Sequence, residues 1–285
     1  MKNITKYFLS ALILVLVFIV ANIAKSPDDE NVHVYILNVG QGDSILIQKK
    51  DYQILVDAGP GHITLEELGK VMPVLDRKIE QIIITHPHQD HIGAINEVID
   101  RYEVGEIFGS GVLATNSDYI QMLKSIKDEN IKFTVPLVGE KMSFTENEEM
   151  TFFWPGEEYK EKEIDNLNNS SEVVKLCYFS HCALLMGDLE TDGQAQMLAK
   201  QTDPSVFSSE LLKIAHHGSI NGTNQQLLDV VKPKFAAISV GADNQFGHPH
   251  AKTLDLLSQN SIPISRTDRD GTIEYIFSKD GISKK

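Results

Sequence analysis

The apolar run Ile79–Thr85 (IEQIIIT) leads directly into His86-Pro87-His88-Gln89-Asp90-His91, which places four potential metal ligands in six residues at the end of a buried strand. Such a strand must present its end, rather than its face, to the rest of a site. Two further histidine clusters follow apolar runs in the same way: His216 and His217 after Leu211–Ala215, and His248 and His250 after Phe235–Val240. Seven of the ten histidines fall in these three stretches. Side chains at strand C-terminal ends project into the loops where an α/β protein builds its site, so the expected fold gathers distant strand ends at one rim. Carboxylates accompany them: Asp57 in LVDAG, Asp90 within the first cluster, and Asp188 in LLMGDL.

The rest of the chain agrees with a mixed fold. Short or period-two apolar runs predict strands at 32–38, 44–48, 53–56, 150–154, 173–179, 183–186, 211–215, 235–240 and 272–277. Helical spacing predicts helices at 64–75, 92–99, 118–127, 192–200, 224–231 and 252–259. Strands at both ends of such a succession suggest two sheets with helices packed outside. Gly40-Gln41-Gly42-Asp43 lacks the lysine of a phosphate loop and reads as a hairpin turn with Asp43 near the site. With two cysteines in the chain, a Cys-rich zinc module is excluded and histidine and carboxylate are left as the metal ligands. Cys177 and Cys182 flank a predicted turn, and both a cross-strand disulfide and a pair of thiols remain open. His33, His62 and His181 are isolated and read as structural, and Trp154 as core.

Eighteen residues, Tyr7 to Ala24, carry no charge and follow Lys2 and Lys6. Length and flanking charge predict a membrane anchor, with a cleaved signal as the alternative. Either places the body outside the cytoplasm, single-pass at the cell membrane or secreted. The expected organisation is therefore residues 1–25 as anchor or signal, 26–31 as a polar linker, and 32–280 as the domain that carries the histidine clusters.

Local chemistry can be assigned from spacing. His86 and His88, at i,i+2 in an extended loop, can hold one cation, and Asp90 with His91 a second, with Asp188 bridging. A histidine of His216-His217-Gly218-Ser219, by preference His217, can protonate a leaving alkoxide while adjacent backbone N–H groups hold a phosphate oxygen. The alternative is that this pair only caps the following segment. The balance of 26 basic against 40 acidic residues, a net −14, argues against a protein that coats nucleic acid through a broad basic face.

Taken together, LNVGQGDSILI (37–47), LVDAGPG (55–61), ITHPHQDHIGA (84–94), GDL (187–189), LLKIAHHGS (211–219), AISVGADNQFGHPH (237–250) and RTDRDGTI (266–273) resemble the metallo-β-lactamase superfamily, and within it the metallo-β-lactamase-like domain of ComEC, a competence-type DNA-uptake channel. The resemblance covers roughly residues 32–279 and omits the channel's membrane helices. It implies an αββα sandwich, here preceded by one hydrophobic N-terminal helix. It implies two divalent ions, zinc or manganese, held by His86, His88, Asp90, His91, Asp188 and His248, the last preferred to His250. Asp57 would orient ligand histidines, and Asp90, His217 and Asp57 would carry the catalysis. His216, Gly218, Ser219 and His250 would meet substrate. One departure stands out: the superfamily's third histidine for the first metal, roughly 20 residues before the GDL aspartate, is missing from Asn166-Leu167-Asn168-Asn169-Ser170.

The expected function is a nuclease or phosphodiesterase acting on DNA or nucleotides through a metal-bound hydroxide. A lactone or β-lactam hydrolase and a non-catalytic DNA-binding accessory are the alternatives. The membrane contact expected is the N-terminal segment, and no protein partner can be inferred.

Overall fold

The computed structural model describes residues 2–23 and 30–285, with the side chains of the first span described over 6–18. In chain order the described strands are β1 Val32–Ile36, β2 Ile45–Lys49, β3 Tyr52–Val56, β4 Lys78–Ile84, β5 Glu103–Gly109, β6 Lys132–Thr134, β7 Lys141–Met142, β8 Glu148–Trp154, β9 Val173–Tyr178, β10 His181–Leu185, β11 Leu211–Lys213, β12 Phe235–Ile238, β13 Ile264–Arg266, β14 Ile273–Ser278 and β15 Gly281–Lys284. The helices are α1 Lys2–Ile23, α2 Ile63–Val71, α3 Gln89–Ile92, α4 Ile95–Arg101, α5 Ser117–Asp128, α6 Thr191–Ala199, α7 Gln225–Val231, α8 Ala251–Gln259 and α9 Thr267–Asp270.

The strands form two sheets, ordered β15-β14-β1-β2-β3-β4-β5-β6 and β13-β12-β11-β10-β9-β8-β7. Alternate residues of β1 to β3 (Val34, Ile36, Ile45, Ile47, Ile54) point at Met150, Phe152, Val174, Leu176 and Leu211 of the second sheet and fill the space between the two. The opposite face of the first sheet is covered by α2, α4 and α5 through Leu68, Ile95, Val98, Met122 and Ile126. That of the second is covered by α6, α7 and α8 through Met197, Leu227, Val231 and Leu257. Helices therefore lie outside both sheets, as their apolar spacing requires.

β3 pairs parallel to β4, and β10, β11 and β12 pair parallel to one another. Parallel neighbours end on the same side, so the segments after β3, β4, β10, β11 and β12 share a rim. The turn at Gly40–Asp43 closes over it. Gly42 has φ 148°, and a Cβ there would lie 2.3 Å from the carbonyl oxygen of Asp90, so only glycine lets this turn pack on the HPHQDH loop. The Asp43 N–H then donates to that same carbonyl at 3.1 Å.

Several expectations change. The sequence hid β5, where EVGEIFG reads as polar and glycine-broken, and the short β6, β7, β13 and β15, which are stabilised by sheet neighbours more than by their own composition. The helix expected at 92–99 is divided into α3 and α4. Cys177 and Cys182 face each other across β9 and β10 and form a disulfide. The membrane anchor and the placement at the cell membrane built on it are corrected: among the described residues no helix is long and apolar enough to cross a membrane. Residues 26–29 of the expected linker lie outside the described residues.

Candidate metal centre

Each strand end delivers a side chain, and a second group holds that side chain in place. Asp57, directly after β3 and fully buried at φ 58°, accepts from the Thr85 N–H (2.8 Å) and Thr85 Oγ1 (2.6 Å). Its Oδ2 also lies 2.7 Å from His91 Nδ1, which turns His91 Nε2 toward the centre. His86, after β4, lies with Nδ1 3.1 Å from Thr85 Oγ1 and 3.3 Å from Ser171 Oγ, and with Nε2 3.0 Å from His88 Nδ1. His88 is half-buried and His86 fully so.

His217 is held in the same way from the second sheet. Its Nδ1 lies 3.1 Å from the Ser239 carbonyl and 3.3 Å from Asp43 Oδ1, and its Nε2 is 3.2 Å from Asp90 Oδ2. Asp43 is itself locked by Lys213, whose Nζ donates to Oδ2 at 2.7 Å and to the Ile214 carbonyl at 3.1 Å. His216 and His217 both adopt left-handed backbone, φ 50° and 52°, followed by Gly218 at φ 81°. Two successive non-glycine residues in that region cost roughly 1–2 kcal/mol each, strain that folded proteins keep mainly at functional positions. A Cβ on Gly218 would meet Pro249 Cβ at 2.5 Å, so the turn and the GHPH segment are packed against each other.

Asp188 Oδ2 sits at the focus. It is 3.3 Å from His91 Nε2, 3.4 Å from His217 Nε2, 3.9 Å from His216 Nε2 and 4.0 Å from His86 Nε2. The ligand atoms of Asp90, His91, Asp188 and His217 all lie within 4.8 Å of one another. Burial opposes charge on His91 and His217, yet the carboxylates of Asp188, Asp57 and Asp90 around the first, and of Asp188 and Asp43 around the second, raise both well above the ordinary imidazole range. Burial also opposes charge on Asp188, but the His217 and His91 imidazoles hold it well below the carboxylate range. Burial and the neighbouring His91 press His86 the other way, well below. Burial, then His216, His217 and His250, lowers His248 to about 4.

The pocket thus favours concentrated positive charge. His91 Nε2, Asp188 Oδ1, His216 Nδ1 and His248 Nδ1 are buried without a hydrogen-bond partner among the described residues, although buried polar atoms are rarely left so. Imidazole and carboxylate donors converging with unsatisfied atoms fit a divalent cation of the zinc or manganese kind.

Of the residues predicted from sequence, His86, His88, Asp90, His91, Asp188, His216 and His217 come together, with Asp57 behind them. His248 lies at one remove, its ring 5.4 Å from His216 and 6.3 Å from His217, and His250 is a further 5.3 Å from His248. In the His216–Ser219 turn the His216 N–H donates to the Gly187 carbonyl and the Ser219 N–H to the His216 carbonyl. Sequence reasoning missed Lys213 and Glu190. A lysine in the apolar run LLKIA is a signal that could have exposed the first. Nothing in the local sequence singles out the second.

The pattern described as the metallo-beta-lactamase superfamily matches residues 37–242. ComE operon protein 3 of Bacillus subtilis is 28% identical over 264 residues, which are 86% of this chain and 33% of that protein. Competence protein ComA of Neisseria gonorrhoeae is 24% identical, over 90% of this chain and 34% of its own length. The chain therefore spans about a third of the length of these curated relatives. In fold it resembles the metallo-beta-lactamase fold protein YhfI of Bacillus subtilis, with TM-score 0.54, 14% identity, and 85% and 99% of the two chains covered.

Proposed function

The chain belongs to the metallo-β-lactamase superfamily, and from that premise we propose that it is a metal-dependent hydrolase that cleaves phosphodiester bonds of DNA or nucleotides. The observation that carries the reading is the convergence on Asp188 Oδ2, where imidazole nitrogens from both sheets approach within 4.0 Å beside the strained His216-His217 turn. We assign His86, His88, Asp90, His91 and Asp188 to holding two divalent ions, zinc or manganese, with His248, one remove from the cluster, as the outermost of the proposed ligands. Such ions, when bound, lower the pKa of water and offset the negative charge that builds on a phosphoryl group.

The protein's own groups do the rest. Asp57 and Thr85 keep His91 in one orientation, which fixes its tautomer. His217 lies with Nε2 toward Asp90 and Asp188 and with Nδ1 against the Ser239 carbonyl and Asp43, an arrangement suited to passing a proton to a leaving oxygen. With the His216 N–H engaged by the Gly187 carbonyl and the Ser219 N–H by the His216 carbonyl, contact with a phosphate oxygen passes to side chains at the rim, His250 among them. The net charge of −14 restricts nucleic acid to this local site, so short single strands or nucleotides suit it better than long duplex. Segments similar to ComEC and relatives named for competence support DNA as the substrate class.

The test incubates the chain with bis-nitrophenyl phosphate, a single-stranded oligonucleotide and a chromogenic β-lactam in zinc, manganese and magnesium. Phosphodiester cleavage is expected, reduced about 10²–10⁴-fold in Asp90→Ala and in His217→Ala. Cleavage of the β-lactam alone, or an Asp90→Ala variant as fast as wild type, refutes the reading.

A further inference from the structure

On the side of the centre where residues 166–170 offer no histidine, another imidazole is aimed inward. His216 Nε2 lies 3.9 Å from Asp188 Oδ2, while its Nδ1 lies 3.3 Å from Glu190 Oε1. Glu190 is gripped by two asparagines: Asn166 Nδ2 donates to Oε2 at 2.9 Å and Asn168 Nδ2 to Oε1 at 3.0 Å. Asn166 is fixed in turn, because its Oδ1 accepts the Asn168 N–H at 3.1 Å and so caps the short helical turn Leu167–Ser170. The amides that stand where a histidine was expected thus orient a carboxylate, and that carboxylate faces His216.

The placement parallels that of Asp57 behind His91 and Asp43 behind His217, with Glu190 in ion-pair contact at 3.3 Å with an Nδ1 that has no hydrogen-bond partner among the described residues. A carboxylate behind Nδ1 fixes the N–H on that nitrogen, leaves the Nε2 lone pair free to bind a cation, and strengthens it as a donor. The left-handed conformation of His216 is maintained by backbone bonds on both sides, from its own N–H to Gly187 and from the Ser219 N–H to its carbonyl. A merely surface histidine would have no need of that strain. His216 is also only partly exposed, its side chain at 24%.

We propose that His216 replaces the missing histidine, joining His86, His88 and Asp188 around one divalent cation, and that Glu190, held by Asn166 and Asn168, is the residue that positions it. This rests on the proposed function only in taking the centre to bind metal; the substrate does not enter.

The experiment strips the full chain with a chelator, then titrates zinc and manganese against a chelating indicator, with elemental analysis after desalting. Wild type should hold two ions. His216→Ala should lose one ion, or bind it more than 100-fold more weakly, with the other unchanged. Glu190→Gln, which keeps the shape and removes the charge, should weaken the same ion about 10–100-fold, and Glu190→Asp should recover part of the loss. The melting temperature of the stripped protein should not move in Glu190→Gln, which separates positioning from a structural role. Two ions at wild-type affinity in His216→Ala overturn the proposal, as does a Glu190→Gln variant altered in stability but not in ion affinity. If His216→Ala does not fold, Glu190→Gln decides. Because no turnover is read, failure here leaves the phosphodiesterase reading standing, and a two-ion protein that cleaves nothing sinks that reading alone.

Discussion

Replacing Lys213 by methionine should be among the most costly single changes outside the ligands themselves. Its side chain is fully buried, that of Asp43 is 2% exposed, and the 2.7 Å contact between them is the lysine's one charge partner in the structure among the described residues. Methionine fills most of the stem's volume, so little of the loss comes from a cavity. What remains is a buried carboxylate without its counter-charge. Removing one partner of a buried pair costs about 3–5 kcal/mol. His217 Nδ1, 3.3 Å from the other Asp43 oxygen, compensates in part, which places Lys213→Met near the lower end, about 3 kcal/mol. Asp43→Asn leaves a buried ammonium with neutral acceptors alone, the Ile214 carbonyl and an amide oxygen, and should fall nearer the upper end. The double variant leaves no charge unpaired, so it should lose about 2–3 kcal/mol less than the sum of the two. Urea unfolding of the metal-stripped chain at neutral pH, extrapolated to zero denaturant with a common slope, measures all four corners of the cycle. Single variants within about 1 kcal/mol of wild type, or additive losses, would refute the argument that this pair is an ionic contact under the site.

Asp57→Asn removes the acceptor that turns His91, so ion affinity in a chelator competition should fall about 10–100-fold while the fold persists. Glu172 is buried with an unpartnered Oε2, and burial, with Glu140 nearby, raises its carboxyl well above the usual range. The folded state therefore binds the proton more tightly than the unfolded one, and stability should decline as pH rises from the ordinary glutamate value toward the folded one. Glu172→Gln should flatten that decline and stabilise the chain at neutral pH; an unchanged pH profile in urea melts would count against it. Gly218→Ala, strained at φ 81° and driven into Pro249, should cost at least about 1–2 kcal/mol and lower the melting temperature by several degrees. A melting temperature equal to wild type would show that the turn can relax away from Pro249.

The parts legible in the sequence are those whose signal is local. IEQIIIT followed by HPHQDH announces both a strand and its candidate ligands within thirteen residues, and β1 to β4, β8 to β12 and β14 lie close to their predicted places because their apolar runs are self-contained. The supporting groups are not local. Asp43 and Lys213 are 170 positions apart and meet only because β11 ends beneath the Gly40–Asp43 turn. Glu190 follows a turn whose own residues look like an ordinary helix start, and its role arises from asparagines 22 and 24 residues away. The N-terminal segment shows the opposite failure. Absence of charge over 18 residues is a pattern any apolar helix can have, and it overstated what the folded chain supports.

The shared rim has a consequence for how the molecule comes into being. Asp43, Asp57 and the HPHQDH residues belong to the first sheet and its turns, whereas Asp188, His217 and His248 arrive with the second, so neither half possesses a site of its own. The cluster of Asp90, His91, Asp188 and His217 is complete only once the two layers have docked, so ion binding followed during refolding would report the joining of both sheets rather than the formation of either one.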